Sequence, residues 1–209
     1  MAAWRRTESP RDKGACYRLV HRQLSALMEG ERDALANLAN AAALIYQALP
    51  DLNWAGFYLY KQGMLVLGPF QGMPACVRIP LARGVCGAAA RERRTQVVPD
   101  VHAFPGHIAC DAASRSEIVA PLLDGDRLLG VLDVDSPLPG RFDESDREGL
   151  EALLDRYMNT GIYEIEKTDI LKLDPFAKLG KPARIAGYFG GRDGYMKAVR
   201  ELSQALYAI

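Results

Sequence analysis

Apolar and polar positions divide the chain into three regimes. From Cys16 to Met28 the apolar residues Leu19, Val20, Leu24 and Leu27 recur at steps of three and four, the mark of one helical face. Glu31 to Leu49 is rich in Ala and Leu, both strong helix formers, and Pro50-Asp51 ends that run. The pattern then turns aromatic. Asn53–Lys61 (NWAGFYLYK) predicts a strand, Lys61-Gln62-Gly63 a turn and Met64–Phe70 a returning strand. Cys76–Leu81 predicts a third strand, Gly84–Arg93 a short helix and Gln96–Asp100 a short strand. Asp124-Gly125-Asp126 separates two apolar runs, Ser116–Leu123 and Arg127–Val134, which is a hairpin signature. Pro137, Pro139 and Gly140 break the chain, and the acidic stretch from Asp143 to Asp146 suits a helix N-terminus. Leu150, Leu153, Leu154 and Tyr157 share one side of a helix that reaches Asn159.

Helices at both ends with an antiparallel sheet between them predict an α+β fold over residues 1–159. Residues 160–209 form a C-terminal extension, interrupted by Pro175, Gly180 and Pro182, with a short amphipathic helix expected at Tyr195–Tyr207. One long segment, from His102 to Arg115, has no clean period and carries Pro105, Gly106 and Asp111. Such loops carry function disproportionately often.

Composition narrows the functional classes. Lys plus Arg and Asp plus Glu are 26 each, so the formal net charge is zero. Nothing in that balance favours nucleic acid or an anionic membrane as partner. No apolar run approaches the ~20 residues of a membrane helix. The opening MAAWRRTESPRDKG has arginines but no apolar stretch after them, unlike a secretory signal. The expectation is a cytoplasmic protein. There its four cysteines, Cys16, Cys76, Cys86 and Cys110, would be reduced, so a disulfide among them reads as catalytic or regulatory.

Cys110 lies in the irregular segment, where backbone N–H groups outside a ladder could bind an anion or stabilise a thiolate. The bland alternative is a buried structural cysteine. With His102 and His107 nearby, Cys76, Cys86 and Cys110 also permit zinc, but no C-x-x-C pair is present. A redox trio of one attacking and one or two resolving thiols needs no such spacing. Asp133 and Asp135 are two apart on one strand and can share a face, near Glu117 on the preceding strand. They read either as a polar strand end or as an acidic pocket for an amine. Repulsion among the three would raise one of their pKa values. Trp54 and Tyr58 also share a strand face, as core or as an aromatic wall.

Three runs, LVLGPFQGMPACVRIPLARGVCGAAA, VVPDVHAFPGHIACDAASRSEIVAPL and GVLDVDSP, together resemble the free methionine-(R)-sulfoxide reductase family, a catalytic branch of the GAF fold. The resemblance spans about Asn53 to Leu154. It implies a GAF-like central antiparallel sheet. It implies that Cys110 attacks the sulfoxide sulfur and becomes a sulfenic acid. Cys76 is then the main resolving thiol and Cys86 an auxiliary one. Glu117, Asp133 and Asp135 hold the ligand ammonium and assist proton delivery, Trp54 and Tyr58 flank the S-methyl group, and the backbone at Ile108, Ala109 and Cys110 takes the carboxylate. The implied substrate is free methionine sulfoxide and the implied reductant thioredoxin, with no metal or organic cofactor. A homodimer is common in this fold. Cys16 matches no family position. The alternative is a non-catalytic GAF sensor of a small ligand, which would have no use for three clustered cysteines.

Overall fold

The computed structural model describes residues 12–108 and 110–158. The predicted extension at 160–209 with its helix, Ala109, and the side chain of Tyr157 lie outside the described residues.

Helix α1 (Lys13–Met28) starts at Asp12, whose carboxylate accepts the Ala15 amide at 2.7 Å. Asp33 does the same for Ala36 at 2.8 Å before α2 (Ala34–Ala48). Each carboxylate satisfies an amide that has no partner inside its helix. The buried stripe of α1 is Cys16, Tyr17, Val20, Leu24 and Met28, while the predicted Leu19 and Leu27 are half-buried. Tyr17 causes the shift. Its hydroxyl donates to Asp146 Oδ1 at 3.0 Å, which makes a residue with a polar tip part of the core.

Strands β1 (Trp54–Lys61), β2 (Met64–Gly72), β3 (Arg78–Pro80), β4 (Gln96–Val98), β5 (Ser116–Asp124) and β6 (Arg127–Ser136) form one sheet in the order β3-β2-β1-β6-β5-β4. All its pairings are antiparallel. Gln62 and Gly63 join β1 to β2 with φ of 51° and 82°, the left-handed pair whose twist suits a two-residue hairpin. The predicted third strand is shorter than its sequence suggests. Pairing with β2 begins at Arg78, opposite Val66, so Cys76 precedes the ladder rather than lying in it. The irregular segment opens with a single 3-10 turn, Val101–Ala103, before becoming loop.

Strand alternation gives the sheet two different faces. Ala55, Phe57 and Leu59 of β1 share one face, on the side where α2 meets β1 and β2 and α4 (Glu144–Met158) meets β5. Trp54, Gly56 and Tyr58 share the other, where α3 (Gly84–Glu92) contributes Val85, Cys86, Ala89 and Ala90 to a cluster with Val119 and Val131. β1 is therefore buried continuously from Trp54 to Leu59 although it is antiparallel to both neighbours.

The start of α4 is tied to α1 through one carboxylate. Asp146 is fully buried and takes Lys13 Nζ, Tyr17 Oη and Arg141 Nη1, the last at 3.0 and 3.1 Å to its two oxygens. It also accepts the Asp143 amide at 2.9 Å, while Asp143 accepts the Asp146 amide at 3.3 Å, a reciprocal cap. Gly149 lies against the Tyr17 ring, where any Cβ would overlap it. Among the described residues no helix is long and apolar enough to cross a membrane.

Candidate active site

On the α3 face of the sheet lies a cavity of about 470 Å³, counting its open mouth. Trp54 and Tyr58 form one wall, with ring centroids 5.8 Å apart, and Trp54 also stacks on Phe70 at 5.4 Å. A Cβ at Gly56 would overlap both Phe70 and Trp54, so glycine is what lets the indole lie across the strand. Trp54 Nε1 donates to the Met73 carbonyl at 3.1 Å and fixes the segment leading to Cys76. Cys76 and Cys110 are joined in a disulfide with Cα atoms 5.4 Å apart, an ordinary span. Cys110 is half-buried and lines the cavity. Its loop is anchored at several points. Gly84 N–H donates to the Gly106 carbonyl at 3.1 Å, and Asn53 Nδ2 donates to Asp111 Oδ2 at 2.8 Å and to Ser114 Oγ at 3.0 Å.

Part of the cavity lining is acidic. Sheet register sets Glu117 across from Asp135, and Val119 across from Asp133, so three carboxylates occupy neighbouring positions on one face. Glu117 and Asp133 are 5% and 6% exposed. Among the described residues no Lys or Arg pairs with any of the three. The basic group beside them is His107, whose Nε2 is 3.9 Å from Glu117 Oε2 and whose pKa is lowered by burial and then by His102. Burial is the largest cause that raises all three carboxyl groups above the carboxylate range. For Glu117 and Asp135 the neighbouring aspartate charges come second. The sequence argument from repulsion among the three is thus corrected: all three rise, and desolvation leads. Asp133 is pushed up to about 7, with hydrogen bonds from Cys86 and Glu117 pulling it back.

Cys86 Sγ donates to Asp133 Oδ2 at 3.2 Å, with Glu117 Oε1 at 3.9 Å. Burial, then the charges of Asp133 and Glu117, push this thiol well above its ordinary pKa. Asp133 Oδ1 is buried without a hydrogen-bond partner.

The GAF domain profile matches residues 17–160, the helices and sheet described above. Over 143 residues the chain is 54% identical to the free methionine-R-sulfoxide reductase of Escherichia coli (strain K12), covering 68% of this chain and 87% of that protein. The chain belongs to the free methionine-R-sulfoxide reductase family. The enzyme of that name from Neisseria meningitidis, solved in complex with its substrate, superposes with a TM-score of 0.71 at 45% identity, covering 79% of this chain and 100% of that one. The Staphylococcus aureus structure in complex with substrate gives 0.66 at 52% identity, covering 69% and 95%. A second profile, described as EcoEI R protein C-terminal, matches residues 132–207. Correspondingly, a Type I restriction enzyme EcoAI endonuclease subunit of Escherichia coli is 39% identical over 70 residues, covering 33% of this chain and 9% of that protein. This oxidoreductase thus has the expected α+β GAF fold, and the second likeness extends into the residues beyond it.

Of the residues singled out in the sequence of this reductase, Trp54, Tyr58, Cys86, Ile108, Cys110, Glu117, Asp133 and Asp135 all line the one cavity. Cys76 is brought there through its bond to Cys110. Trp54 and Tyr58 are core and wall at once, since both are buried and both face the cavity. Of the three clustered cysteines, two are bonded to each other and the third is hydrogen-bonded to Asp133. Ala109 lies outside the described residues. Asp111 and Ser114 also line the cavity and were not singled out as ligand-facing, and His107, named in the sequence only as a possible zinc ligand, lines it too. Their place in the same loop as Cys110 was the available signal.

Proposed function

We propose that this reductase converts free L-methionine-(R)-sulfoxide to L-methionine at the cavity between the Cys76–Cys110 disulfide and the three carboxylates. The observation that carries the reading is the pairing of a half-buried cysteine couple with a buried acidic surface that has no Lys or Arg partner among the described residues. A redox-active sulfur and an ammonium-binding wall in one cavity fit a small zwitterion bearing an oxidised sulfur.

In the first step Cys110, as thiolate, attacks the sulfoxide sulfur. Two electrons pass from the Cys110 sulfur to the substrate sulfur, the S–O bond breaks, and the oxygen ends on Cys110 as a sulfenic acid. The departing oxygen needs a proton. Glu117, whose carboxyl is raised above the carboxylate range by burial and then by the charges of Asp133 and Asp135, is the proposed donor, with Asp135 supporting it. Cys76 then attacks the Cys110 sulfur, water leaves, and the Cys76–Cys110 disulfide forms. Thioredoxin returns both thiols by dithiol exchange. Cys86 is protonated and bonded to Asp133, so it serves as auxiliary resolving thiol only after leaving that partner.

Asp133 Oδ1, Glu117 and Asp135 take the ligand ammonium, the backbone from Ile108 to Cys110 takes its carboxylate, and Trp54 and Tyr58 flank its S-methyl group. Each charge-assisted hydrogen bond is worth ~1.5–3 kcal/mol. A sulfoxide inside a peptide lacks both charges and would leave the acidic surface unpaired, so the free amino acid is preferred.

Methionine release from free methionine-(R)-sulfoxide with dithiothreitol tests the assignment. Cys110→Ser abolishes release, and Cys76→Ser keeps one fast turnover but slows recycling by thioredoxin. Wild-type rates in Cys110→Ser would overturn the role of Cys110.

A further inference from the structure

The acidic part of the cavity lining contains more than an ammonium site needs. Cys86 Sγ, one oxygen of Glu117 and one of Asp133 all lie within 4.8 Å of one another, and all three residues are buried. These donors come from α3, β5 and β6, so helix packing and strand register hold them in place. Two of the trio's three edges are 3.2 Å from Sγ to Asp133 Oδ2 and 3.9 Å from Sγ to Glu117 Oε1. Tetrahedral zinc, with bonds of about 2.3 Å to sulfur and about 2.1 Å to oxygen, requires a sulfur–oxygen edge of about 3.6 Å. The two observed edges bracket that value.

A second observation points to a cation at this spot. Asp133 is 6% exposed, lines the cavity, and has one oxygen without a hydrogen-bond partner. From these we infer that Cys86, Glu117 and Asp133 form a binding site for zinc, and that zinc there excludes the substrate. The thiolate donor selects a soft or borderline metal over magnesium or calcium. His107, with Nε2 3.9 Å from the other Glu117 oxygen, is a further donor at the rim. The exclusion of substrate rests on the ammonium assignment above, since the same carboxylates serve both cations. The metal site itself does not depend on it.

Zinc binding to the full-length chain in its Cys76–Cys110 oxidised form, without thiol reductant, tests this directly. In that form Cys76 and Cys110 cannot act as ligands. One equivalent of zinc binds, and Cys86→Ser and Asp133→Asn each weaken binding at least tenfold, while Cys16→Ser leaves it unchanged. Cobalt in place of zinc gives a thiolate charge-transfer band in the near ultraviolet that is absent in Cys86→Ser, a readout independent of activity. Added methionine weakens the apparent zinc affinity. No binding by the oxidised protein, or equal binding by wild type and Cys86→Ser, would overturn the metal site. Zinc bound through Cys86 but indifferent to methionine would keep that site and overturn the ammonium assignment instead.

Discussion

Asp146 and Asp133 are both buried aspartates, 0% and 6% exposed, in one small fold. Asp146 is surrounded by donors: Lys13, Arg141 and Tyr17 side chains and the Asp143 amide. Asp133 has a thiol at 3.2 Å, two other acids for neighbours, and an oxygen with no hydrogen-bond partner. The first carboxylate is neutralised from within the chain and joins α1 to α4. The second has no Lys or Arg partner among the described residues. The contrast lies in charge: Asp146 faces two cationic side chains, and Asp133 faces a thiol and two further carboxyl groups.

The largest effect should come from breaking the completed site. Asp146→Ala leaves Lys13 and Arg141 without their buried counter-charge and is expected to cost about 3–5 kcal/mol of stability, read by denaturant unfolding. Activity per folded molecule should stay near wild type. Next, Glu117→Ala should leave the fold intact but lose about 2–4 kcal/mol of transition-state stabilisation, roughly 30- to 1000-fold in kcat/KM. A change under threefold would remove Glu117 from the reaction.

Asp133→Asn should move stability in the direction opposite to Asp146→Ala. The Asp133 carboxyl rises on folding from 3.8 to about 7, so in that window the folded state holds a proton that the unfolded chain has lost. Stability therefore falls as pH rises through the window. Asparagine removes this loss, so the variant's Tm should exceed wild type near neutral pH and decline less steeply between acid and neutral pH. Equal slopes in the two proteins would contradict the burial argument. The smallest effect belongs to the rim of the completed site. Asp143 is exposed and its ion pair with Lys13 is screened by solvent, so Asp143→Asn, which still caps α4, should cost under about 1 kcal/mol.

Local pattern carried much of this architecture. The Gln62-Gly63 and Gly125-Asp126 turns, the aromatic β1 and the acidic start of α4 are each visible in a few neighbouring residues. What the sequence hid depends on distant partners. Tyr17 belongs to the core because Asp146 is 129 residues away along the chain, and an apolar count passes over it. Cys76 leaves its expected strand because the ladder with β2 begins only at Arg78. The site residues were legible through motif resemblance, and Asp133 and Asp135 also through their two-residue spacing. Their electrostatics were not, because burial on the α3 face exists only once the helix covers the sheet. His107 was visible in the sequence only as a possible zinc ligand near the cysteines, and only the folded loop brings it beside Glu117.

The central claim is that the unpaired acidic surface exists to receive the ammonium of a free amino acid. Comparing kcat/KM for free methionine-(R)-sulfoxide with that for the same sulfoxide capped at both its amino and carboxyl ends tests it most directly. The account predicts a loss of at least a hundredfold on capping, from two missing charge-assisted contacts of ~1.5–3 kcal/mol each. Equal turnover of the two substrates would contradict it.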